Sequence, residues 1–371
     1  MEELRRFLPR GRLQDLIDAL RAAGHRVVGP VPRDGAIVYD EIRSVDELPR
    51  GWRETQAPGS YRIERSGGDA CFDVVNGPGS LKRFFFAPRE ELLQIEIADG
   101  SFRAQETLPE AAPTAYLGVR ACDLAALAVQ DRVFLEDRYP DAHYAARRRG
   151  AFLVAVQCTR SAATCFCASL DTGPEARAGF DLALTEQDDG FVARAGSEAG
   201  RQILGALDLS PADPERTRAE REALDACAAG MQRALDTSDL PDLLYENLDH
   251  ARWDDVAERC LSCGNCTMVC PTCFCHDVRD EPSPDGLRSL RVREWDSCFD
   301  RDHGQVHGKN FRPETRHRYR QWLVHKVASW IDQFGTSGCV GCGRCITWCP
   351  TGIDLTEEVA AIRDLPKERG R

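Results

Sequence analysis

The sequence lacks the features that would suit a membrane or a nucleic acid. It contains no run of about 18 apolar residues, the length that crosses a bilayer. The net charge is −12, so a basic surface for nucleic acid is not expected. The first ten residues have no apolar segment typical of a signal peptide. These absences predict a cytoplasmic protein with no membrane span and no nucleic-acid partner.

The common signatures of catalysis are missing as well. There is no P-loop, no His-Glu-x-x-His, and no local support for a Ser/His/Asp triad. No Gly-x-Gly-x-x-Gly follows a strand with an acidic residue about 20 positions later, and Gly77-Pro-Gly79 does not meet that pattern. We therefore assign no residue of this chain a catalytic role.

Cysteine, by contrast, is abundant, with 17 among 371 residues. In a cytosolic protein of this length, many cysteines indicate metal binding more than disulfides, and an odd total fits disulfides poorly. Two runs have the C-x2-C-x2-C-x3-C-P spacing of bacterial two-cluster ferredoxins. The first run contains Cys260, Cys263, Cys266 and Cys270, and the second contains Cys339, Cys342, Cys345 and Cys349.

In this pattern the fourth cysteine of each run ligates the cluster held by the other run. The expected ligands of cluster 1 are Cys260, Cys263, Cys266 and Cys349. Those of cluster 2 are Cys339, Cys342, Cys345 and Cys270. The alternative is a pair of structural zinc sites, but zinc does not need four cysteines at this spacing twice. The runs predict two [4Fe–4S] clusters and therefore electron transfer.

Four more cysteines lie where predicted strands end. Cys122 stands between a strand and a helix, Cys158 ends the next strand, and Cys165 and Cys167 follow in a loop. Loops at the ends of adjacent parallel strands converge, so these thiols could hold a third [4Fe–4S] cluster. The alternative is a set of buried structural thiols, the role that we expect for Cys71 and Cys227.

A last group follows the first run. Cys273, Cys275 and Cys298 carry a weaker signal, and with His276 nearby they could form a further metal site.

The pattern of elements predicts an α+β protein. Residues 1–205 mix strands and helices and form an expected α/β domain, residues 206–245 a helical linker, and residues 246–371 a mostly helical two-cluster ferredoxin domain. Residues 316–334 read as a long helix and residues 276–314 as loops. Residues 81–86 read as a strand or turn that enters a short helix after Pro88. The 68 residues between Cys270 and Cys339 favour a helical ferredoxin type.

Several segments occur together in an order that is specific. They are residues 81–90, 118–123, 165–167, 266–275, 295–298, 325–326 and 339–345. The chain resembles the 4Fe–4S dicluster family, which includes the beta subunit of group 3b [NiFe] hydrogenases (sulfhydrogenases) and the electron-transfer subunit of anaerobic sulfite reductase.

The resemblance implies an electron-transfer subunit of a soluble multi-subunit oxidoreductase. Its partners would be an FAD- and NAD(P)-binding flavoprotein and subunits that carry a [NiFe] centre or further clusters. The leading interpretation is the beta subunit of an NAD(P)-linked [NiFe] hydrogenase. The alternatives are the electron-transfer subunit of anaerobic sulfite reductase, and a subunit that itself reduces sulfur or polysulfide.

Overall fold

The computed structural model describes residues 5–98, 101–136 and 138–364. The outer ends of the two predicted domains, residues 1–4 and 365–371, lie outside the described residues. The protein contains both helices and sheets and is of the α+β class. None of the described helices is both long enough and apolar enough to cross a membrane.

The strands are β1 (Arg5–Pro9), β2 (Arg26–Arg33), β3 (Ala36–Glu41), β4 (Trp52–Ala57), β5 (Ser60–Arg65), β6 (Arg89–Ala98), β7 (Ser101–Glu106), β8 (Thr114–Val119), β9 (Ala151–Val156), β10 (Leu182–Gln187), β11 (Gly190–Ala195), β12 (His276–Pro282), β13 (Arg288–Trp295), β14 (Gln305–Val306) and β15 (Lys309–Asn310). The helices are α1 (Leu13–Ala22), α2 (Lys82–Phe85), α3 (Ala121–Phe134), α4 (Ala142–Arg149), α5 (Glu198–Ala206), α6 (Pro214–Ala229), α7 (Leu240–Glu246), α8 (Arg252–Arg259), α9 (Asn265–Met268), α10 (Thr315–Val324), α11 (Trp330–Phe334), α12 (Arg344–Thr347) and α13 (Leu355–Asp364).

The main sheet has the order β1-β11-β10-β9-β8-β2-β3. Strands β2, β8, β9 and β10 run parallel, and antiparallel partners flank them. The central strands β8 and β9 are mostly apolar and almost wholly buried, as expected for strands covered on both faces. Helices α1 and α5 pack on one face, and α3 and α4 on the other. Because β8 and β9 are parallel neighbours, the cysteines that follow them lie at the same sheet edge.

A second sheet, in the order β12-β13-β6-β7, was not expected. The prediction that residues 276–314 are loops is wrong for β12 and β13, and residues after Pro88 form β6 and not a helix. Residues 81–86 contain helix α2. The charged residues that suggested loops pair across strands, such as Arg89 with Glu281 and Arg291 with Asp280, each at 2.8 Å. Such cross-strand pairs stabilise a solvated sheet.

The long helix predicted over residues 316–334 is present. It consists of α10, a π-helical turn at His325–Ser329, and α11. Its apolar face packs with α7, α8 and α13 around Trp253, Leu323 and Val327, all of which are fully buried. A π-turn inside an α-helix often marks a functional position, and here it carries Lys326 toward the cysteine runs.

Candidate metal centres

The first group of four thiols combines both cysteine runs. It lines one cavity and consists of Cys260, Cys263, Cys266 and Cys349. The rest of the wall is mostly apolar, with Phe299, Tyr319 and Trp322 among its side chains. Burial, followed by the thiolates of the other three cysteines, raises the pKa of Cys266 well above its ordinary value. The structure thus brings together the four residues expected to hold cluster 1.

The second group takes three cysteines from the second run and its fourth, Cys270, from the first run. Burial, and then the thiolates of Cys339, Cys342 and Cys270, raise the pKa of Cys345 well above its ordinary value. Cys345 also borders the cavity of the first group. The four residues expected to hold cluster 2 therefore lie together, directly beside the first group.

Both runs fold alike around their sulfur atoms. In each, a glycine with left-handed φ begins a one-turn helix, and these are Gly264 before α9 and Gly343 before α12. The backbone N–H of Ser262 donates to Cys260 Sγ at 3.4 Å, and that of Gly341 donates to Cys339 Sγ at 3.5 Å. Hydrogen bonds of this kind orient sulfur ligands and tune the potential of a cluster.

Lys326 adds a positive charge to the second group. Its Nζ lies 3.1 Å from Cys270 Sγ and 3.0 Å from Thr272 Oγ1. Desolvation by burial lowers the pKa of this side chain, but the thiolates of Cys270 and Cys273 outweigh that effect, so the pKa is raised overall. Lys326 is therefore a charged donor aimed at a cysteine of the second group.

The N-terminal part of the chain forms one wall of the second group. Asn76 Nδ2 donates to the carbonyl of Cys342 at 2.9 Å, and the N–H of Phe166 donates to the carbonyl of Gly341 at 2.9 Å. A buried ion pair joins Arg344 to Asp123, with Nη1–Oδ1 at 2.9 Å and both side chains 1% exposed. Close polar contacts thus connect the cysteine runs to the main sheet.

The N-terminal cysteines Cys122, Cys158, Cys165 and Cys167 are all buried. Burial, followed by the Cys158 thiolate, raises the pKa of Cys165 to about 12. Cys158 Sγ also lies 3.8 Å from Arg120 Nη1. Cys122 packs with Cys167 and with Cys342 of the second group.

Cys227, expected from the sequence to be structural only, is a further neighbour of these thiols. It lies on α6, and its thiol interacts electrostatically with those of Cys158 and Cys167. The sequence signal for it was weak, because a single cysteine on the inner face of an Ala-rich helix is usual in a protein core.

The remaining cysteines after the first run, Cys273, Cys275 and Cys298, line a common cavity with His303. His276 is the histidine that the sequence places nearby, but its Nδ1 lies 3.0 Å from the carbonyl of Phe274 and its side chain is exposed. The Cys275 pKa is lowered to about 4, first by a hydrogen bond with Cys298 and also by one with His303. No sequence motif connects His303 to Cys275, so only the fold reveals this contact.

Comparison with known proteins places the two cysteine runs in a known domain. A family model described as a 4Fe-4S dicluster domain matches residues 259–353. Over nearly the whole length, the chain is 31% identical to sulfhydrogenase 2 subunit beta of Pyrococcus furiosus, with 94% of this chain and 96% of that protein covered. No solved structure matches the chain. The chain belongs to the sulfhydrogenase beta-subunit family and contains its 4Fe–4S dicluster domain.

Proposed function

We propose that this protein is the electron-transfer iron–sulfur subunit of a multi-subunit NAD(P)-linked [NiFe] hydrogenase. The observation that carries the proposal is the pair of four-thiol groups, each with three cysteines from one run and one from the other. The relatedness to a sulfhydrogenase beta subunit favours the hydrogenase setting over sulfite reductase. Catalysis would then lie on other subunits.

The residues present fit [4Fe–4S] clusters. Thiolates are soft ligands that suit iron and sulfide, and both groups receive backbone N–H donors. We propose Cys260, Cys263, Cys266 and Cys349 as the ligands of cluster 1. We propose Cys339, Cys342, Cys345 and Cys270 as those of cluster 2. When bound, such clusters supply one-electron transfer at low potential.

The surrounding side chains would keep water from the first cluster. Phe299, Tyr319 and Trp322 are each no more than 4% exposed and form much of the cavity wall. Solvent exposure and local polarity are among the factors that set cluster potential. The aromatic wall is therefore part of how this chain would adjust the first cluster.

We further propose that the N-terminal thiols Cys122, Cys158, Cys165 and Cys167 hold a third cluster. Their burial and mutual proximity support this, and Cys227 supplies an additional thiol beside Cys158. Arg120 beside Cys158 would balance negative charge. Cys165→Ala is expected to remove about four irons, whereas Cys71→Ala, at a buried cysteine outside every group, should remove none.

The proposed partners are an FAD- and NAD(P)-binding flavoprotein and subunits that carry the [NiFe] centre or further clusters. The excess of negative charge on this chain, −12 in total, suits docking to basic surfaces on such partners.

The proposed domain organisation follows from the same interpretation, with the α/β domain over residues 1–205, a linker over 206–245, and the two-cluster domain over 246–371.

A reductive titration of the whole protein under anaerobic conditions tests the proposed function. Two clusters should bleach the visible absorption as about two electrons per chain are added, since each takes one, and further clusters add one each. The reduced protein should return these electrons to an oxidised viologen dye. A protein that takes up no electrons at low potential would contradict the proposal.

Lys326→Met is expected to lower the potential of cluster 2. The ammonium group favours the more negative, reduced cluster through its contact with Cys270, and a hydrogen bond to a charged group contributes about 1.5–3 kcal/mol. If this hydrogen bond stabilises the reduced cluster by about 1.4 kcal/mol more than the oxidised cluster, its loss lowers the one-electron potential by about 60 mV. A redox titration followed by EPR measures it.

Lys309→Gln is the matched control, because Lys309 is exposed and its removal changes the net charge equally. This control should leave both potentials within a few millivolts of the unmodified protein. If both variants shift the potential of cluster 2 equally, Lys326 acts only through the total charge of the protein, and the proposed effect of its direct contact with Cys270 is contradicted.

A further inference from the structure

The cavity beside the second cysteine run contains three cysteines that the two proposed clusters do not use. It has a volume of about 180 Å³ and is lined by Cys273, Cys275, Cys298 and His303, with Lys326 at its wall. The hydrogen-bonded contacts join Cys275 to both Cys298 and His303. Three soft thiols and an imidazole around one cavity are a set that transition-metal centres use.

The unexpected hairpin assembles this site. His276 of β12 pairs with Trp295 of β13, and the N–H of Asp296 donates to the carbonyl of Cys275 at 3.0 Å. Cys275 thus meets Cys298 although 22 residues lie between them in the chain. The turn after β13 returns the chain and brings His303 to the same place.

His303 has the surroundings of a metal ligand. Its Nδ1 is hydrogen-bonded to the carboxylate of Asp296, which leaves Nε2 free to face the thiols. Histidines that bind metals almost always donate their other ring N–H to a carboxylate, a carbonyl or water, which fixes the tautomer and orients the ring. The Asp296–His303 pair therefore holds the imidazole ring in place beside the thiols of the cavity.

The charges around the cavity also favour a negative centre. Two buried lysines, Lys326 and Lys82, interact with the thiols at Cys270 and Cys273. Lys326 lies at the cavity wall, and a cluster held by three thiolates would add negative charge beside its ammonium group, as buried charges require. Lys82 also lies with its Nζ 3.8 Å from the ring centroid of Trp295, at the end of β13.

The geometry favours a cluster over a single ion. Across the ranges that the structure describes, no three His, Cys, Asp or Glu side chains converge closely enough to hold one metal ion. Cys273, Cys275, Cys298 and His303 instead line one cavity of about 180 Å³. We propose that Cys273, Cys275, Cys298 and His303 bind an additional iron–sulfur cluster, with Asp296 as the residue that positions His303.

The location of this centre suits electron exchange with clusters 1 and 2. Cys273 contacts Cys270 of the second group, and the thiol of Cys298 interacts electrostatically with Cys266 of the first. The binding of this additional cluster does not require that the protein is a hydrogenase subunit. Replacement of one thiolate by imidazole raises the potential of an iron–sulfur cluster, so we expect it to be reduced more readily than an all-cysteine centre of the same type.

The test uses the full chain, purified anaerobically, with Cys298→Ala and Cys71→Ala compared under the same conditions. Cys298→Ala should lose about four irons with equal sulfide, and its EPR spectrum should keep the signals that Cys270→Ser and Cys349→Ser alter. Cys71→Ala should lose none. Retention of all iron in Cys298→Ala, or zinc in place of iron at this site, would overturn the proposal.

His303→Cys gives a second measurement that does not require loss of the cluster. In the unmodified protein, pulsed EPR should detect an imidazole nitrogen coupled to a reduced cluster. His303→Cys should keep its iron, lose this nitrogen coupling, and show a lower potential for that centre. Absence of any nitrogen coupling in the unmodified protein, or its persistence in His303→Cys, would show that His303 is not a ligand.

Discussion

Cys270→Ser should damage the cluster held by the second run, although Cys270 belongs to the first. The thiol of Cys270 is one of the four whose charge acts on Cys345, and its effect is larger than that of Cys266. A serine oxygen is a harder and poorer ligand for iron than a thiolate. We expect loss of up to about four irons and loss of one EPR signal from the reduced protein.

Matched variants make this result decisive. Cys270→Ser should alter the same EPR signal as Cys345→Ser, and a different one from Cys266→Ser, although Cys266 is only four positions away. Cys349→Ser should reproduce the effect of Cys266→Ser. If instead Cys270→Ser and Cys266→Ser affect the same signal, each run holds its own cluster and the crossed assignment is wrong.

Asp123→Ala is expected to lower the free energy of unfolding by about 3–5 kcal/mol, the usual effect of removing one partner from a buried ion pair. Arg344 would keep a charge inside the protein, with the carbonyl of Gly77 as a remaining partner at 3.1 Å. Because Arg344 directly precedes Cys345, the variant should also lose iron more readily. Denaturant unfolding followed by circular dichroism, with parallel iron analysis, measures both effects.

Two controls separate the buried pair from charge in general. Asp280→Ala removes an exposed carboxylate, whose partner Arg291 is also exposed, and should change the unfolding free energy by about 1 kcal/mol or less. Asp123→Ala combined with Arg344→Met removes both charges and should be less destabilised than Asp123→Ala alone. An Asp123→Ala protein as stable as Asp280→Ala would contradict the role of this ion pair.

The sequence allowed the local parts of the structure to be predicted. The spacing of the two runs predicts the two crossed ligand sets, and each run folds as a compact turn around a glycine and a short helix. The sequence predicted the long helix that includes α10 and the strands that precede Cys122 and Cys158, which are β8 and β9. The two cysteine runs predicted [4Fe–4S] clusters, in agreement with the dicluster domain match, whereas the partner subunits are a prediction that comes from the family resemblance.

The remainder depended on contacts between distant segments. Strands β12 and β13 are rich in charged residues. Strand β12 is mostly exposed, and the two buried residues of β13 are adjacent, so neither strand has the alternation that marks a half-buried strand. Cys227 and His303 reach their neighbours only through helix packing and through this hairpin. The sequence has no local pattern that would identify either contact.

The most direct test of the proposed clusters is the amount of iron and acid-labile sulfide in the full chain after anaerobic purification. Two [4Fe–4S] clusters require about eight irons and about eight sulfides per chain, and each further proposed cluster adds about four of each. We predict at least about eight irons per chain and an equal amount of sulfide. Zinc without sulfide, or about four irons or fewer, would contradict a two-cluster electron-transfer protein.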